Sequence, residues 1–550
     1  MTSRRSFAAA VFGMILAAVL GGVSALAGIA FFEGAGIIHQ MIGIAPGGGQ
    51  NLLALAIAPA VAGFLCALLK KHVNGGFCGL SDTMLAAQRG DAQPWKSSLA
   101  SVVASFTAFG GGASVGQYGP VGHLGGVIGG YFRKRWGRGI GPACGVAAAI
   151  AAAFNAPVTG VLFAHEVILR HHSARAFAPV AVAAIAGYMV SVGVFSRPPF
   201  LSIGDMRSVN AVDFVLFGVQ GALFGVLSAF YLRAIFALGR KLSPLPTMPL
   251  FIVAGGVCGL LWLIAPEAVG GRELLRLVVE DGITGWQTAA TIGAVKVAAT
   301  ILCLGAGFAG GVVSPTLVIG AMTGVLYATT ATALGVYDGP LFVPVVCGMM
   351  AFVAPALGAP LAAILFVLEL SGGNYPLTLA ASLSVALSML TAGKLGKGSY
   401  YEQQLLSRGV NIKNDRESWD LMAVPISDVL STRDIPSINI TTSAADAVKI
   451  MAKESALFTC ITGENDKYAG IMDLAAAARG GDSPCGECMR AISPLRQTDN
   501  LSAALHACEN SEDSFIPVVD DNDNFVGVLR ETDLFHARDR SRLRRAEETE

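Results

Sequence analysis

Three glycine-rich segments each lead into the start of an apolar, helix-forming stretch. They are Gly75–Asp82, Gly112–Pro120 and Gly310–Pro315. The first N–H groups of a helix have no carbonyl partner within the helix, and the helix dipole adds a partial positive charge there. Several helix starts that meet inside a membrane would bind an anion weakly enough to release it. Close helix packing explains any one of these segments equally well, but it explains the three together poorly.

The composition divides the chain into two parts of different character. The 550 residues carry no net charge, and only 14% of them are charged, whereas soluble proteins carry about a quarter. Residues 1–400 hold 22 basic and 12 acidic side chains, and residues 401–550 hold 16 and 26. We therefore expect a membrane domain followed by an acidic soluble domain. This division excludes a secreted disulfide scaffold, a nucleic-acid binder and a disordered chain.

The first apolar run extends from Ser6 to about Phe32 and follows Arg4 and Arg5. It is too long for the core of a signal peptide, which predicts a retained membrane helix with a cytoplasmic N-terminus. An acidic C-terminal domain without a translocation signal would lie on the same side, so we expect an even number of crossings. Many of the later apolar runs are short or broken by glycine and proline, which is typical of transporters and channels with discontinuous helices.

An internal repeat indicates that the membrane domain is duplicated. Ala153–Glu166 aligns without gaps on Ala356–Glu369, which places Pro157 on Pro360. A glycine-rich segment that ends in a further proline lies about 40 residues before each of these two stretches. Paired interrupted segments of this kind are expected of a duplicated transport fold.

These patterns predict the domain boundaries. We expect a membrane domain over residues 1–410 with halves at about 6–200 and 210–400, a linker at 411–424, a further domain at 425–540 and a tail at 541–550. The further domain contains two βαββα units, Pro425–Ala478 and Met489–Ala537, which together would form a paired regulatory module. The ten cysteines are scattered, and neither a disulfide framework nor a metal site is expected.

The glycine-rich segments resemble the signature motifs of the CLC family of chloride channels and chloride/proton antiporters. The family motifs GSGIP, GREGP and GxFxP correspond to Phe77–Ser81, Gly116–Pro120 and Gly311–Pro315. The stretch from Phe154 to Glu166 is an especially close match. The resemblance covers about residues 10–410, and the paired units that follow resemble CBS domains.

The resemblance implies an α-helical polytopic membrane protein with the inverted-repeat CLC fold and broken helices, followed by an α/β CBS pair. It implies a homodimer in a lipid bilayer, with one pore in each subunit. The central anion would be bound by the backbone N–H groups of Val312 and Val313 and by the hydroxyl of Tyr401, with Tyr400 as the alternative. Cys78 occupies the place of the family's serine, and a thiol is a weaker hydrogen-bond donor than a hydroxyl.

An outer anion site would use the backbone around Gln117, Tyr118 and Gly119. In the family, the position of Tyr118 holds the glutamate that gates the path and carries protons. A phenol with an ordinary pKa near 10 stays neutral at pH 7 and cannot carry protons in the same way. Tyr118 would instead gate the path by plugging it sterically, or would donate its O–H to an anion. The second glutamate of the family's proton path falls on Val167, which cannot ionise.

These two departures favour passive, proton-uncoupled conduction of chloride or another small anion. The alternative is a chloride/proton antiporter with a rewired proton path through His165 or Glu166, because an ionisable residue inside a membrane is a functional candidate. A structural role at a helix end is at least as plausible for Glu166 and for Glu369. Fluoride transport is a weaker fit, because the fluoride-exporting members generally lack CBS domains and keep the glutamate gate.

The C-terminal units could bind a nucleotide. Asp533 fits the CBS aspartate that binds the ribose of an adenine nucleotide, although a purely structural, dimer-stabilising role for the pair is favoured. A nucleotide sensor whose membrane part is only an anchor is the alternative from a different class. No hydrolytic or redox constellation is present, so we expect no enzymatic activity and no other cofactor. We expect the protein in a prokaryotic inner membrane with both termini cytoplasmic.

Overall fold

The computed structural model divides the chain into two compact units, residues 1–412 and 413–550. The described residues are 2–44, 50–71, 73, 76–132, 136, 139–172, 174–201, 203, 211–280, 285–412, 426–430, 435–463, 467–499, 501–509, 515–530, 532–534 and 536. Most of the expected linker (413–424) and all of the expected tail (541–550) therefore lie outside the described residues.

Within its described ranges, the regular secondary-structure elements of the first unit are helices. Its helices are α1 (Thr2–Met41), α2 (Leu52–Lys70), α3 (Leu80–Arg89), α4 (Trp95–Gly110), α5 (Tyr118–Gly130), α6 (Ile140–Phe154), α7 (Pro157–Phe163), α8 (Ala174–Met189), α9 (Ala211–Leu242), α10 (Thr247–Ile264), α11 (Arg272–Val279), α12 (Trp286–Ala306), α13 (Val313–Ala333), α14 (Phe342–Leu357), α15 (Pro360–Leu370), α16 (Tyr375–Leu395) and α17 (Tyr400–Leu406). Eight helices of the described ranges are long and apolar enough to cross a membrane.

Short helices supplement these spans, as the glycine and proline breaks predict. Helix α7 continues as a wider π-helical turn over Ala164–Leu169, and α8 continues in the same way over Val190–Val194. A 3-10 turn at Pro266–Val269 precedes α11. Two prolines, Pro157 and Pro360, stand at the first turns of α7 and α15, where the missing N–H of proline breaks no helical hydrogen bond.

The first helix is longer than its apolar run. Helix α1 continues nine residues beyond Phe32 to Met41. In this extension Ala35 is fully buried, and His39 Nε2 lies 2.8 Å from the carbonyl oxygen of Phe109 at the end of α4. Tertiary contacts therefore stabilise a segment in which the hydrophobic pattern has already ended.

The second unit contains two small mixed sheets. The first has strands β1 (Ser437–Asn439), β2 (Phe458–Thr462) and β3 (Tyr468–Asp473) with helices α18 (Ala444–Lys453), α19 (Leu474–Gly480) and α20 (Cys485–Cys488), and the second has β4 (Leu495–Arg496), β5 (Phe515–Val519) and β6 (Phe525–Arg530) with α21 (Leu501–Glu509). In each sheet the first strand is parallel to the second, and the second is antiparallel to the third. This repeated order confirms the predicted α/β pair.

Candidate functional site

The two halves of the membrane domain cross at a pair of glycines. The N–H of Gly116 donates to the carbonyl of Gly311 at 2.6 Å, and the N–H of Gly311 donates to the carbonyl of Gly116 at 2.7 Å. A Cβ on Gly116 would lie 2.8 Å from the Gly311 carbonyl oxygen, and one on Gly311 would lie 2.8 Å from the nitrogen of Gly119. Only glycine allows these two backbone segments to approach this closely.

Two helices begin directly after this crossing. Helix α5 begins at Tyr118 and α13 begins at Val313, each two residues before a proline. Gly116 and Gly311 therefore occupy equivalent positions of the repeat. The first N–H groups of each helix lack an intrahelical acceptor, so the crossing places two partly positive helix starts next to each other.

A cavity of about 230 Å³, which we call the polar cavity, lies beside the crossing. Its walls include the predicted residues Cys78, Gly119, Tyr400 and Tyr401. The Tyr401 side chain is 2% exposed, and its hydroxyl has no hydrogen-bond partner within the described part of the chain. A buried hydroxyl without a partner is costly, so this atom is available to donate to a molecule in the cavity.

Polar contacts fix the loop that carries Cys78. The backbone N–H of Cys78 donates to Ser101 Oγ at 2.7 Å. The next N–H, of Gly79, donates to the carboxylate of Asp82 at 2.7 Å. The same carboxylate binds the Arg408 guanidinium at 2.7 Å. The start of α3 is thus held by side chains, and the Cys78 residue remains at the cavity wall.

A second cavity, of about 400 Å³, contains two arginines, and we call it the arginine cavity. It is lined by Gln117 and Tyr118, and also by Glu33, Arg197, Arg272 and Glu273 among others. The Arg197 guanidinium lies 5.5 Å over the ring of Phe32, and the Arg272 guanidinium lies 5.5 Å over the ring of Phe200. The sequence patterns did not identify these arginines, because neither lies in one of the three glycine-rich segments that resemble the family motifs.

The ring of Tyr118 packs against three phenylalanine rings. Its ring centroid is 4.2 Å from that of Phe154, 5.6 Å from that of Phe32 and 6.3 Å from that of Phe200. The side chain is 3% exposed. The preceding residue, Gln117, lines the arginine cavity, and the following residue, Gly119, lines the polar cavity. Tyr118 therefore stands at the boundary between the two cavities.

Val312 and Val313, at the start of α13, do not line the polar cavity. Val312 is fully buried and Val313 is 5% exposed, whereas the adjacent Gly310 and Gly311 line the polar cavity. Val313 lines a separate apolar space of about 40 Å³. Anion binding by the backbone of Val312 and Val313 stays a prediction.

Two glutamates cap each other's repeat-related helices. The Glu166 carboxylate accepts the N–H groups of Leu361 and Ala362 at 2.9 and 2.8 Å, at the start of α15. The Glu369 carboxylate accepts the N–H groups of Val158 and Thr159 at 2.9 and 2.8 Å, at the start of α7. Both oxygens of each carboxylate are thereby engaged in helix capping, so Glu166 is poorly placed to carry protons.

Two further predicted residues of the membrane domain, His165 and Val167, line neither cavity. Val167 is 1% exposed and His165 is 2% exposed, both in the π-helical turn after α7. His165 Nδ1 lies 3.2 Å from the carbonyl oxygen of His171. In the C-terminal unit, the Asp533 carboxylate accepts the N–H of Arg530 at 3.1 Å. Nucleotide binding at Asp533 stays a prediction.

Family models identify the two units. A model described as voltage gated chloride channel matches residues 56–393, and a CBS-domain model matches residues 489–540. The chain belongs to the CLC voltage-gated chloride channel family. This confirms the predicted family and the C-terminal CBS pair, and the protein is a multi-pass membrane protein of an anion-transporting family.

Individual relatives are similar along most of the membrane domain. The chain is 28% identical over 420 residues to the putative chloride channel protein ClcB-like of Ralstonia nicotianae, which covers 71% of this chain and 96% of that relative. It is 30% identical over 324 residues to the H⁺/Cl⁻ exchange transporter ClcA of Vibrio parahaemolyticus, covering 56% and 68%. These relatives are named as a channel and a transporter, not as enzymes.

Solved structures agree on the fold. A slow cyanobacterial Cl⁻/H⁺ antiporter superposes with a TM-score of 0.63 at 24% identity, covering 72% of this chain and 97% of that structure. A eukaryotic CLC transporter superposes with a TM-score of 0.60 at 18% identity and covers 96% and 98%. Together with the helical architecture, these structures confirm the predicted CLC fold.

Proposed function

We propose that this CLC protein exchanges chloride or another small anion for protons, by a route that differs from the usual glutamate path. The observation that carries anion transport is the polar cavity, where the unpartnered Tyr401 hydroxyl and the Cys78 loop lie beside the helix starts of the crossing. Neutral donors and helix dipoles bind an anion without holding it permanently, and Lys70 and Arg408 at the wall of the same cavity add positive charge that attracts it. Several relatives named as H⁺/Cl⁻ exchange transporters support coupling to protons.

The packing of Tyr118 between the two cavities also supports exchange. The ring of Tyr118 is packed against Phe154 at 4.2 Å and is almost fully buried. An anion can pass only when this ring leaves its packing. A transporter needs such an occluded state in each cycle, whereas a channel must keep the ring displaced for as long as it conducts.

Uncoupled anion conduction is the second candidate function, because specific residues favour it. Tyr118 and Val167 replace the two groups that carry protons in the family, and the capping contacts of Glu166 occupy its carboxylate. Exchange in this protein therefore requires a proton-binding group at another position.

The test is anion efflux from liposomes that contain the purified full-length protein, with chloride and pH recorded together. We expect chloride efflux to drive protons into the vesicles in a fixed ratio, and protein-free liposomes to show neither flux. Chloride efflux without proton movement would establish the second candidate. A complete absence of anion flux would overturn both functions, because the polar cavity would then serve another purpose.

Assembly and regulation are part of the same proposal. We propose a homodimer in a prokaryotic inner membrane with both termini cytoplasmic, and an adenine nucleotide at Asp533 as a regulatory ligand. Half-burial of Asp533 at the end of β6 leaves part of its side chain accessible. Calorimetric titration of the full chain with ATP tests the nucleotide, and Asp533→Asn is expected to weaken any binding observed.

A further inference from the structure

A buried histidine in the polar cavity has no role in the anion path described above. His123 lies in α5, five residues after Tyr118, and lines the same cavity as Cys78 and Tyr401. It is 1% exposed. Ionisable side chains inside a membrane are costly and mark functional sites. The sequence contained this signal, because His123 is the only ionisable side chain in α5 besides Tyr118.

One nitrogen of the imidazole is anchored and the other is not. His123 Nδ1 lies 2.7 Å from Thr83 Oγ1. His123 Nε2 is buried and has no hydrogen-bond partner among the described residues. The hydroxyl of Thr83 can either donate to Nδ1 or accept from it, so it stabilises both the neutral ring and the imidazolium. If Nδ1 carries the proton of the neutral ring, protonation adds one at Nε2; if Nε2 carries it, protonation occurs at Nδ1 and the Thr83 hydroxyl turns from donor to acceptor. In both cases the imidazolium has an Nε2–H without a partner among the described residues.

A protonated His123 would need a negative partner. At the polar cavity, the other titratable or charged groups are Lys70, Cys78, Tyr400, Tyr401 and Arg408. On the helices that pack against α5, those with described side chains are Asp82 and Arg89 of α3, Lys96 of α4, Cys144 of α6, Tyr327 of α13, and Glu33 and His39 of α1. The carboxylate of Asp82, in the first turn of α3, is engaged by Arg408 at 2.7 Å. A charge buried without a partner is strongly disfavoured, and an anion in the polar cavity would supply that partner.

We propose that His123 takes up a proton from solution when an anion occupies the polar cavity, so that the anion and the proton bind together. Linkage makes this effect reciprocal, because a group that tightens anion binding when protonated is itself protonated more readily when the anion is bound. The inference rests on the proposed function. It gives the transporter a proton-binding group in place of the glutamates that Tyr118 and Val167 replace, and exchange then requires the proton to leave His123 toward the side of the membrane opposite to the one that receives the anion.

The experiment is calorimetric titration of the purified full-length protein with sodium chloride between pH 5 and pH 8. An imidazole is the ordinary side chain that changes charge in this range. Repeating the titration in two buffers of different ionisation enthalpy counts the protons taken up for each chloride. We expect chloride affinity to fall as pH rises, by at most about tenfold per pH unit for one linked proton. We also expect net proton uptake on binding.

Two matched variants assign the effect to one histidine. His123→Gln keeps a hydrogen-bonding group for Thr83 but cannot ionise, so its chloride affinity should not depend on pH. His165→Gln is the control, because His165 is equally buried and its Nε2 also lacks a partner in the described ranges, yet it does not line the polar cavity. His165→Gln should keep the pH dependence. His123→Met serves the same purpose if His123→Gln does not fold.

The outcomes separate this inference from the proposed function. A flat pH dependence in the wild-type protein, or a dependence that survives in His123→Gln, would overturn the role of His123. Neither result bears on anion transport, which the liposome efflux measures independently. If wild-type liposomes release no chloride, the proposed function fails whatever the histidine does.

Discussion

The first and second halves of the membrane domain share their structural devices at equivalent positions. Gly116 and Gly311 form the crossing, and each stands four residues before a proline. Glu166 caps the helix that begins at Pro360, and its repeat equivalent in the second half caps the helix that begins at Pro157. These paired positions use glycine, proline and carboxylate for the same physical reasons in both halves.

The two halves differ at the residues that face the cavities. Tyr118 begins α5 in the first half, and the equivalent residue of α13 is Val313. His123 lies one and a half turns further along α5, and its equivalent is the fully buried Val318. The duplicated positions therefore build the scaffold, while the positions at which the repeat has diverged carry the proposed gate and the proposed proton site. Each prediction below tests one side of this division.

The largest effect is expected from a side chain at the crossing. Gly311→Ala places a Cβ 2.8 Å from the nitrogen of Gly119, where backbone on both sides prevents relaxation. We expect a loss of about 3 kcal/mol of stability and loss of transport. Gly116→Ala should behave in the same way, since its Cβ meets the carbonyl oxygen of Gly311 at 2.8 Å. Thermal unfolding in detergent and chloride efflux measure the two effects.

Gly130→Ala is the matched control for the crossing. It lies at the end of α5, and an added Cβ would meet nothing within 4 Å. Alanine is the better helix former by about 1 kcal/mol, so Tm should stay the same or rise. An unchanged Tm in Gly311→Ala would show that the segments containing Gly116 and Gly311 can move apart at the crossing, which would contradict their close approach.

A smaller loss is expected from the glutamate caps. Glu166→Gln leaves one backbone N–H of α15 facing an amide NH₂, and a hydrogen bond to a charged group contributes about 1.5–3 kcal/mol. Glu369→Gln should cost more, because Glu369 also accepts the Thr159 hydroxyl at 2.5 Å. Tm measures both. Glu280→Gln is the control, since a pair such as Arg276–Glu280 near the surface is worth about 0–1 kcal/mol.

Proton coupling in Glu166→Gln tests the capping role from a second direction. We expect the ratio of protons to chloride to remain that of the wild type, because both oxygens of the Glu166 carboxylate already accept backbone N–H groups. If Glu166→Gln keeps the wild-type Tm but no longer moves protons, Glu166 is part of the proton path.

The sequence predicted the scaffold more completely than the site. The glycine motifs, the aligned prolines and the βαββα units depend on local backbone chemistry, and they identify the family and the fold. The site depends on residues that are distant in the chain, such as Arg197 and Arg272 near the ring of Tyr118. His123 lies outside the family motifs, so the resemblance does not identify it. A lone histidine becomes a candidate only when the structure shows it at the polar cavity with its Nε2 unpartnered among the described residues.

The gate is the next test, with an effect on rate. Tyr118→Ala removes the ring that separates the two cavities, and aromatic packing of this kind is worth about 0.5–1.5 kcal/mol beyond its area. Chloride efflux should therefore rise by up to about tenfold. Tyr118→Phe keeps the ring packing and should stay close to the wild-type rate. Val313→Ala, at the equivalent position of the second half, should not open the path. Equal efflux from Tyr118→Ala and the wild type would mean that the ring is not the barrier.

The smallest effect is expected from the cysteine at the polar cavity. Cys78→Ser replaces a weak thiol donor with a hydroxyl, and one hydrogen bond contributes about 0.5–1.5 kcal/mol. Chloride should therefore bind about twofold to tenfold more tightly in calorimetric titration. Cys488→Ser, in the C-terminal unit, controls for loss of a thiol and should leave the affinity unchanged. If Cys78→Ser binds chloride no better, the side chain at this position does not contact the anion, and recognition in the polar cavity depends on Tyr401 and the helix starts alone.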